Sequence, residues 1–262
     1  MKSKVSMLGA TAVLAVTLTA LPARMSQAAV VEDFETLTLS SGNSIGDASI
    51  RTPNYFGISP TSGTHSLLLT TINNAGQDPT NTGNPANQSG TNATTVANIA
   101  TFLGISSTNI RNTLPTPSQT GQEGSAFKLS LGLLSVGDVV SFNYTFLTQE
   151  TSGMHRDFAF INLGLGGNTP VVADTLQPPV SVTGGGNPFN LSSGPHSFSF
   201  TITTAGTYTL GIGVVDATTS DTPSALLVDD IAVTPIPEPS TIGLGIAGAL
   251  LLAALRRRAA KA

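Results

Sequence analysis

Cysteine and tryptophan are both missing from this sequence, and aromatic residues of every kind make up only 5% of it. Without cysteine there is no disulfide framework, no thiol nucleophile and no thiolate metal site, so stability must come from an apolar core or from bound ions. Without tryptophan, and with only three tyrosines, the chain has little of the ring surface that commonly lines ligand clefts. Catalytic signatures are absent as well. His65, His155 and His196 are scattered with no H-E-x-x-H spacing, and no Gly-x-Ser-x-Gly elbow occurs. Gly184-Gly185-Gly186 lacks the lysine and helix of a phosphate cradle and reads as a flexible loop.

Positive charge is scarce in the middle of the chain. Between residues 29 and 233 the only basic side chains are Arg51, Arg111, Lys128 and Arg156, against fourteen acids, which leaves that interval a formal charge of −10. This excludes nucleic acid and anionic lipid as partners of that part, and favours calcium or a basic partner.

The two ends differ in kind. Residues 1–28 carry Lys2 and Lys4, an apolar run over 8–21 and then Ser26-Gln27-Ala28, with small residues at the positions signal peptidase reads. This predicts a signal peptide cut after Ala28. Residues 234–262 combine Ile236-Pro237-Glu238-Pro239-Ser240-Thr241, an apolar stretch over 242–255, and Arg256-Arg257-Arg258 with Lys261. Paired prolines hold the first piece extended and open to an enzyme, and the arginine cluster acts as a stop-transfer signal on the cytoplasmic side of a membrane helix. Fourteen helical residues rise about 21 Å against a hydrocarbon core of about 30 Å, so the segment suits a transient anchor.

This tail resembles the PEP-CTERM sorting signal, with Ile236 where that family usually carries valine. The resemblance implies that an exosortase recognises Pro237-Glu238-Pro239, with Ser240 and Thr241 beside it, removes the tail and releases the rest to the cell surface or exterior. The expected organisation is a signal peptide (1–28), an ectodomain (29–233) and a sorting signal (234–262). About 205 residues are ample for one core, burying roughly 70% of the extended surface.

Within the ectodomain, Val140, Phe142, Tyr144 and Phe146 alternate with polar residues, as do Phe198, Phe200 and Ile202, then Tyr208, Leu210, Ile212 and Val214. That is the period of a half-buried strand. The short Thr204-Ala205-Gly206 link predicts a hairpin between the last two runs. Residues 30–34, 65–72, 128–133, 158–163 and 226–233 complete about eight strands. Val96, Ile99, Ala100 and Leu103 recur at helical spacing, predicting one short helix, and 73–95 is so rich in Asn, Gly and Thr that an exposed loop is expected. With no helices between strands, the fold class is all-β: an antiparallel, jelly-roll-like sandwich. The phrases Glu123-Gly124-Ser125-Ala126, 137–150, Asp157-Phe158-Ala159-Phe160 and 225–231 are similar to those of exported ectodomains that often precede PEP-CTERM tails, which implies a surface protein and no defined activity.

Three sets of residues are candidates for binding or chemistry. Glu32, Asp33 and Glu35 at the start and Asp229 and Asp230 at the end of the ectodomain resemble the acids that hold a structural calcium in jelly-roll carbohydrate-binding modules. Tyr55, Phe56 and Phe189 are the aromatics not committed to the apolar side of a strand, and so the candidates for a sugar platform. Glu150 and Asp157 flank a loop containing Gly153 and could pair as glycosidase carboxylates, although carboxylates at strand ends more often serve turns or hard cations. Asn87, Asn92, Asn143 and Asn190 begin Asn-x-Ser/Thr triplets that could take sugar. The leading expectation is a non-enzymatic, exported surface or matrix protein associated with extracellular polysaccharide; a carbohydrate-binding module is the alternative.

Overall fold

The computed structural model describes residues 29–52, 56–75, 78, 83–112, 119–150, 156–164, 171–175, 180–181, 189–217 and 222–236, together with Gly248, Ala249, Ala253, Arg256 and Arg257 near the C-terminus. The chain divides into two units, residues 27–236 and a second built from 1–26 and 237–262. In the second unit the five described residues are helical. The expected signal peptide, Pro237, Glu238, Pro239, Ser240, Thr241 and Arg258 lie outside the described residues. Among those described, no helix is long and apolar enough to cross a membrane.

The first unit is β-rich. In chain order its strands are β1 (Ala29–Glu32), β2 (Ser44–Ile45), β3 (Asp47–Arg51), β4 (Ser66–Thr70), β5 (Thr94–Thr95), β6 (Arg111–Asn112), β7 (Gln119–Leu134), β8 (Val139–Thr148), β9 (Phe158–Leu163), β10 (Val171–Asp174), β11 (Val180–Ser181), β12 (Leu191–Thr201), β13 (Gly206–Ala217) and β14 (Ser224–Thr234). They form two antiparallel sheets. Sheet A runs β11-β12-β8-β14-β4-β3 with β1 added to β14, and sheet B runs β10-β9-β13-β7-β2 with β5 and β6 on β7.

Alternation decides which side chains meet between the sheets. Phe142 and Phe146 of β8, Leu226 and Val228 of β14, Ile161 of β9 and Leu210, Ile212 and Val214 of β13 share one buried core. The opposite faces are covered separately. On sheet B the helix α1 (Val96–Leu103) packs Val96, Ile99 and Ala100 against Phe158, Phe160 and Val215. Thr95 caps its first turn and Gly104, in the left-handed conformation, ends it. Gly211 and Gly213 of β13 make room there, since a Cβ on the first would meet Leu103 at 2.9 Å and on the second the Phe160 ring at 2.5 Å. Lys128 closes the arrangement, donating to the Phe102 carbonyl at 3.0 Å in the last turn and lying 4.2 Å over the Phe102 ring. On sheet A a smaller cluster holds Phe56, Leu68, Leu147, Phe189 and Leu227.

Two expectations are corrected. β12 and β13 do not form a hairpin: β12 pairs with β8 and β11 in sheet A, and β13 with β7 and β9 in sheet B. Period-two patterning fixes the buried face of a strand and not its neighbour, and four residues reach easily across the roughly 10 Å between packed sheets. Nor are residues 73–95 simply an exposed loop. Asp78 is fully buried, Ala93 donates to the Ile72 carbonyl at 2.8 Å, and the side chain of Asn87 donates to Asn92 at 2.6 Å. Asparagines provide here the internal hydrogen bonds that apolar residues cannot, so a tract with little apolar surface still packs.

Candidate functional site

Sheet A carries a groove of about 270 Å³ on its outer face. Its floor is the outward-facing row of β8 and β14, with Asn143, Thr145, Leu227 and Asp229. One wall is the segment 57–61, and the other is β12 around Gly194. That wall stands out because β12 slips register between Ser192 and Pro195, and Gly194 there takes φ +71°. The lining includes hydroxyls of serine and threonine and one side-chain amide, that of Asn143.

One end of the groove is fixed by a second bulge. Asp230 has φ +52°, and the β14–β8 register shifts between Asp229 and Ala232. Ile231 therefore joins the inner core rather than following Leu227 and Asp229 to the outer face. Asp229 Oδ2 accepts the Thr61 and Ser62 N–H groups at 2.6 and 3.1 Å, and its Oδ1 accepts the Asp230 N–H at 2.9 Å. Burial pushes the Asp229 carboxyl up, with the Ser62 N–H opposing it. Asp230 accepts from Asn143 Nδ2 at 3.1 Å and from the Ser62 hydroxyl, while Ser197 donates to Asn143 Oδ1 at 2.6 Å.

The five acids expected to share calcium are thus not brought together. Glu32 accepts the Phe34 N–H at 2.7 Å and Asp33 the Glu35 N–H at 3.2 Å. Glu35 takes Thr64 and His65, with His65 Nδ1 at 3.0 Å, and the His65 and Thr64 bonds hold its carboxyl down at about 2. Glu32 and Asp33 each turn one oxygen to a nearby backbone N–H, and Glu35 turns both of its oxygens to Thr64 and His65. The sugar-platform expectation also changes: Phe56 and Phe189 are 7% and 1% exposed and meet edge to face at 5.2 Å, so they roof sheet A instead of offering a ring to solvent. Tyr55 and His155 lie outside the described residues. His196 stacks on Tyr144 at 5.5 Å.

Acids missed in the sequence converge at one end of the sandwich. β13 alternation continues inward from Val214 to Asp216, and β7 places Glu123 directly opposite it. Asp78 joins them from the segment after β4, and oxygens of all three lie within 4.8 Å of one another. All three residues are buried. Glu123 Oε2 accepts from Asn73 at 2.7 Å, whereas Glu123 Oε1 and both Asp216 oxygens face no hydrogen-bond donor.

Beside them Asp157 accepts from Ser224 Oγ at 2.6 Å and the Ala217 N–H at 3.1 Å. Burial raises the pKa of Asp157 and, more strongly, of Asp216; for Asp216 the charges of Asp157, Asp78 and Glu123 add to the effect. Glu123 is raised by burial too. Glu150 is 7% exposed and Asp157 1% exposed. The suspected glycosidase pair is therefore buried, with Asp157 held by the starts and ends of neighbouring strands.

No family model matches the chain, and no curated protein does either. Among solved structures, the carbohydrate-binding module TmCBM61, determined in complex with β-1,4-galactotriose, aligns over 74% of this chain and 87% of its own at 9% identity and a TM-score of 0.32.

Proposed function

We propose that this is an exported, non-catalytic surface protein whose jelly-roll-like sandwich binds neutral polysaccharide in the groove on the outer face of sheet A. The observation that carries the reading is the groove itself: a concavity of about 270 Å³ between the 57–61 segment and the bulged β12, with the Thr145 hydroxyl and the Asn143 amide on its floor. Sugar hydroxyls need closely spaced donors and acceptors in a shallow, partly dry concavity, and Asn143, Thr145 and Ser66 supply them. The charge of −10 over residues 29–233 disfavours acidic polymers. Burial of Glu150 and Asp157 speaks for binding over hydrolysis.

Affinity electrophoresis through gels containing soluble galactan, xylan or glucan provides the test. The wild-type chain should be retarded by a neutral polymer, and Thr61→Trp, which fills the groove from an exposed position, should weaken retention at least about tenfold, the equivalent of roughly 1.4 kcal/mol, without lowering the melting temperature. Unretarded migration in every polymer would retire the reading.

Export rests on the two ends. Residues 1–28 serve as the signal peptide, and the PEP-CTERM-like tail holds the chain in the inner membrane until an exosortase cuts near Pro237-Glu238-Pro239. Mass spectrometry of the exported protein is expected to find residues 242–262 gone in a host with a working exosortase, and Glu238→Ala to leave them attached. A mature form that keeps the tail in such a host would end this part of the proposal.

A further inference from the structure

We propose that Asp78, Glu123 and Asp216 bind a calcium ion, which fastens the segment after β4 to the end of the sandwich. The register of β13 on β7 sets two carboxylates face to face at Asp216 and Glu123, a like-charge pair that destabilises a sheet unless something stands between them. Asp216 is fully buried and, apart from the neighbouring Asp157 carboxyl, neither of its oxygens meets a partner; Glu123, 5% exposed, turns Oε2 to Asn73 and leaves Oε1 without one. Buried polar groups without partners are rare, and three such oxygens converging on one place mark the position of a cation.

The dimensions select the ion. Two oxygens on opposite sides of a calcium, each at about 2.4 Å, are about 4.8 Å apart, and the oxygens of the three acids lie within 4.8 Å of one another. Magnesium would require a tighter octahedron at about 2.0–2.1 Å, and zinc favours the imidazole or thiolate that this group lacks. Asp157 stands alongside, hydrogen-bonded to Ser224, Ala217 and Asp216, so its oxygens are taken and it need not ligate. Asn73 links the parts: its amide holds Glu123, and its N–H donates to Asp78 Oδ2 at 3.2 Å.

The full chain, stripped with chelator, would be titrated with calcium chloride by calorimetry and melted with and without the ion. One ion per chain should bind, and calcium at a hundredfold excess over its Kd should raise the melting temperature by about 5–10 °C, more than equimolar magnesium does. Asp216→Asn should abolish both heat and shift, yet melt at or above wild type in chelator, because it removes the facing charge; a variant that had merely lost its fold would melt below. Glu123→Gln should behave likewise, while Glu35→Gln, on residues 35 and 64–65 only, should keep the calcium shift. Identical melts with calcium and chelator and no binding heat would overturn the proposal, as would a calcium response that survives Asp216→Asn.

Discussion

Replacing Arg156 by methionine should lower the unfolding free energy by about 3–5 kcal/mol, the usual cost of removing one partner of a buried ion pair. Arg156 is only 2% exposed and its guanidinium donates to Asp174, itself 1% exposed. Methionine restores most of the aliphatic volume, so lost packing is a minor part of the effect. The larger part is the Asp174 carboxylate, left in a dry site without its cation. For a domain of this kind, with total stability of about 5–15 kcal/mol, that is a large fraction. Urea unfolding at pH 7 measures it, with an unchanged slope and a lower midpoint. Adding Asp174→Leu to Arg156→Met should recover most of the loss; a double variant as unstable as the two single losses combined would show that the pair is not the source.

A comparable loss is expected for Asp47→Ala. Asp47 has no exposed surface, and its two oxygens take the Gln88 N–H at 2.8 Å each, the Ser89 N–H at 2.6 Å and the Thr70 hydroxyl. Its own N–H donates to Ser125 Oγ at 2.7 Å, which in turn donates to the Thr70 carbonyl at 2.6 Å. Gly46 permits this approach, since with φ +82° a Cβ there would lie 2.5 Å from Ser125 Oγ. Hydrogen bonds to a charged group contribute about 1.5–3 kcal/mol each, and the partial exposure of Gln88 and Ser89 discounts the total to about 3–5 kcal/mol. Asp47→Asn keeps one acceptor oxygen and should lose roughly half as much. Limited proteolysis supplies a local readout: cleavage within residues 73–92 should accelerate in Asp47→Ala well before global unfolding does. Equal protection of that segment in variant and wild type would mean that Asp47 does not hold it.

Strands with an uninterrupted apolar face were legible in the sequence. β8 and β13 stand close to where their alternation puts them, β9 covers the residues expected for it, and α1 runs over the residues whose spacing predicts it. The first half of β7 was not legible, because its inward positions are Glu123 and Ser125 rather than apolar residues. Glu123 makes sense only once Asp78 and Asp216 are known to face it, and Ser125 only once it is seen to join Asp47 to Thr70; Asp78 itself comes from a tract with no strand or helix period at all. A trace of the acidic site was present in Tyr208, Leu210, Ile212 and Val214, since two residues further along the same face lies Asp216. The calcium expectation at Asp229 and Asp230 came from a resemblance in residue type and position along the chain; strict alternation could not anticipate a left-handed Asp230, which turns Ile231 inward and gives Asp229 to Thr61 and Ser62. Phe56 and Phe189 looked available because neither lies in an alternating run, yet an apolar outer row on sheet A needs a cover and they provide it.

The pairing of β1 with β14 has a kinetic side. Ala29 sits opposite Val233, so the first strand finds its neighbour only across about 200 intervening residues. Closing so long a loop is entropically late, and contacts of such sequence separation slow folding. Sheet A is thus completed last by the strand that opens it, four residues long and largely exposed.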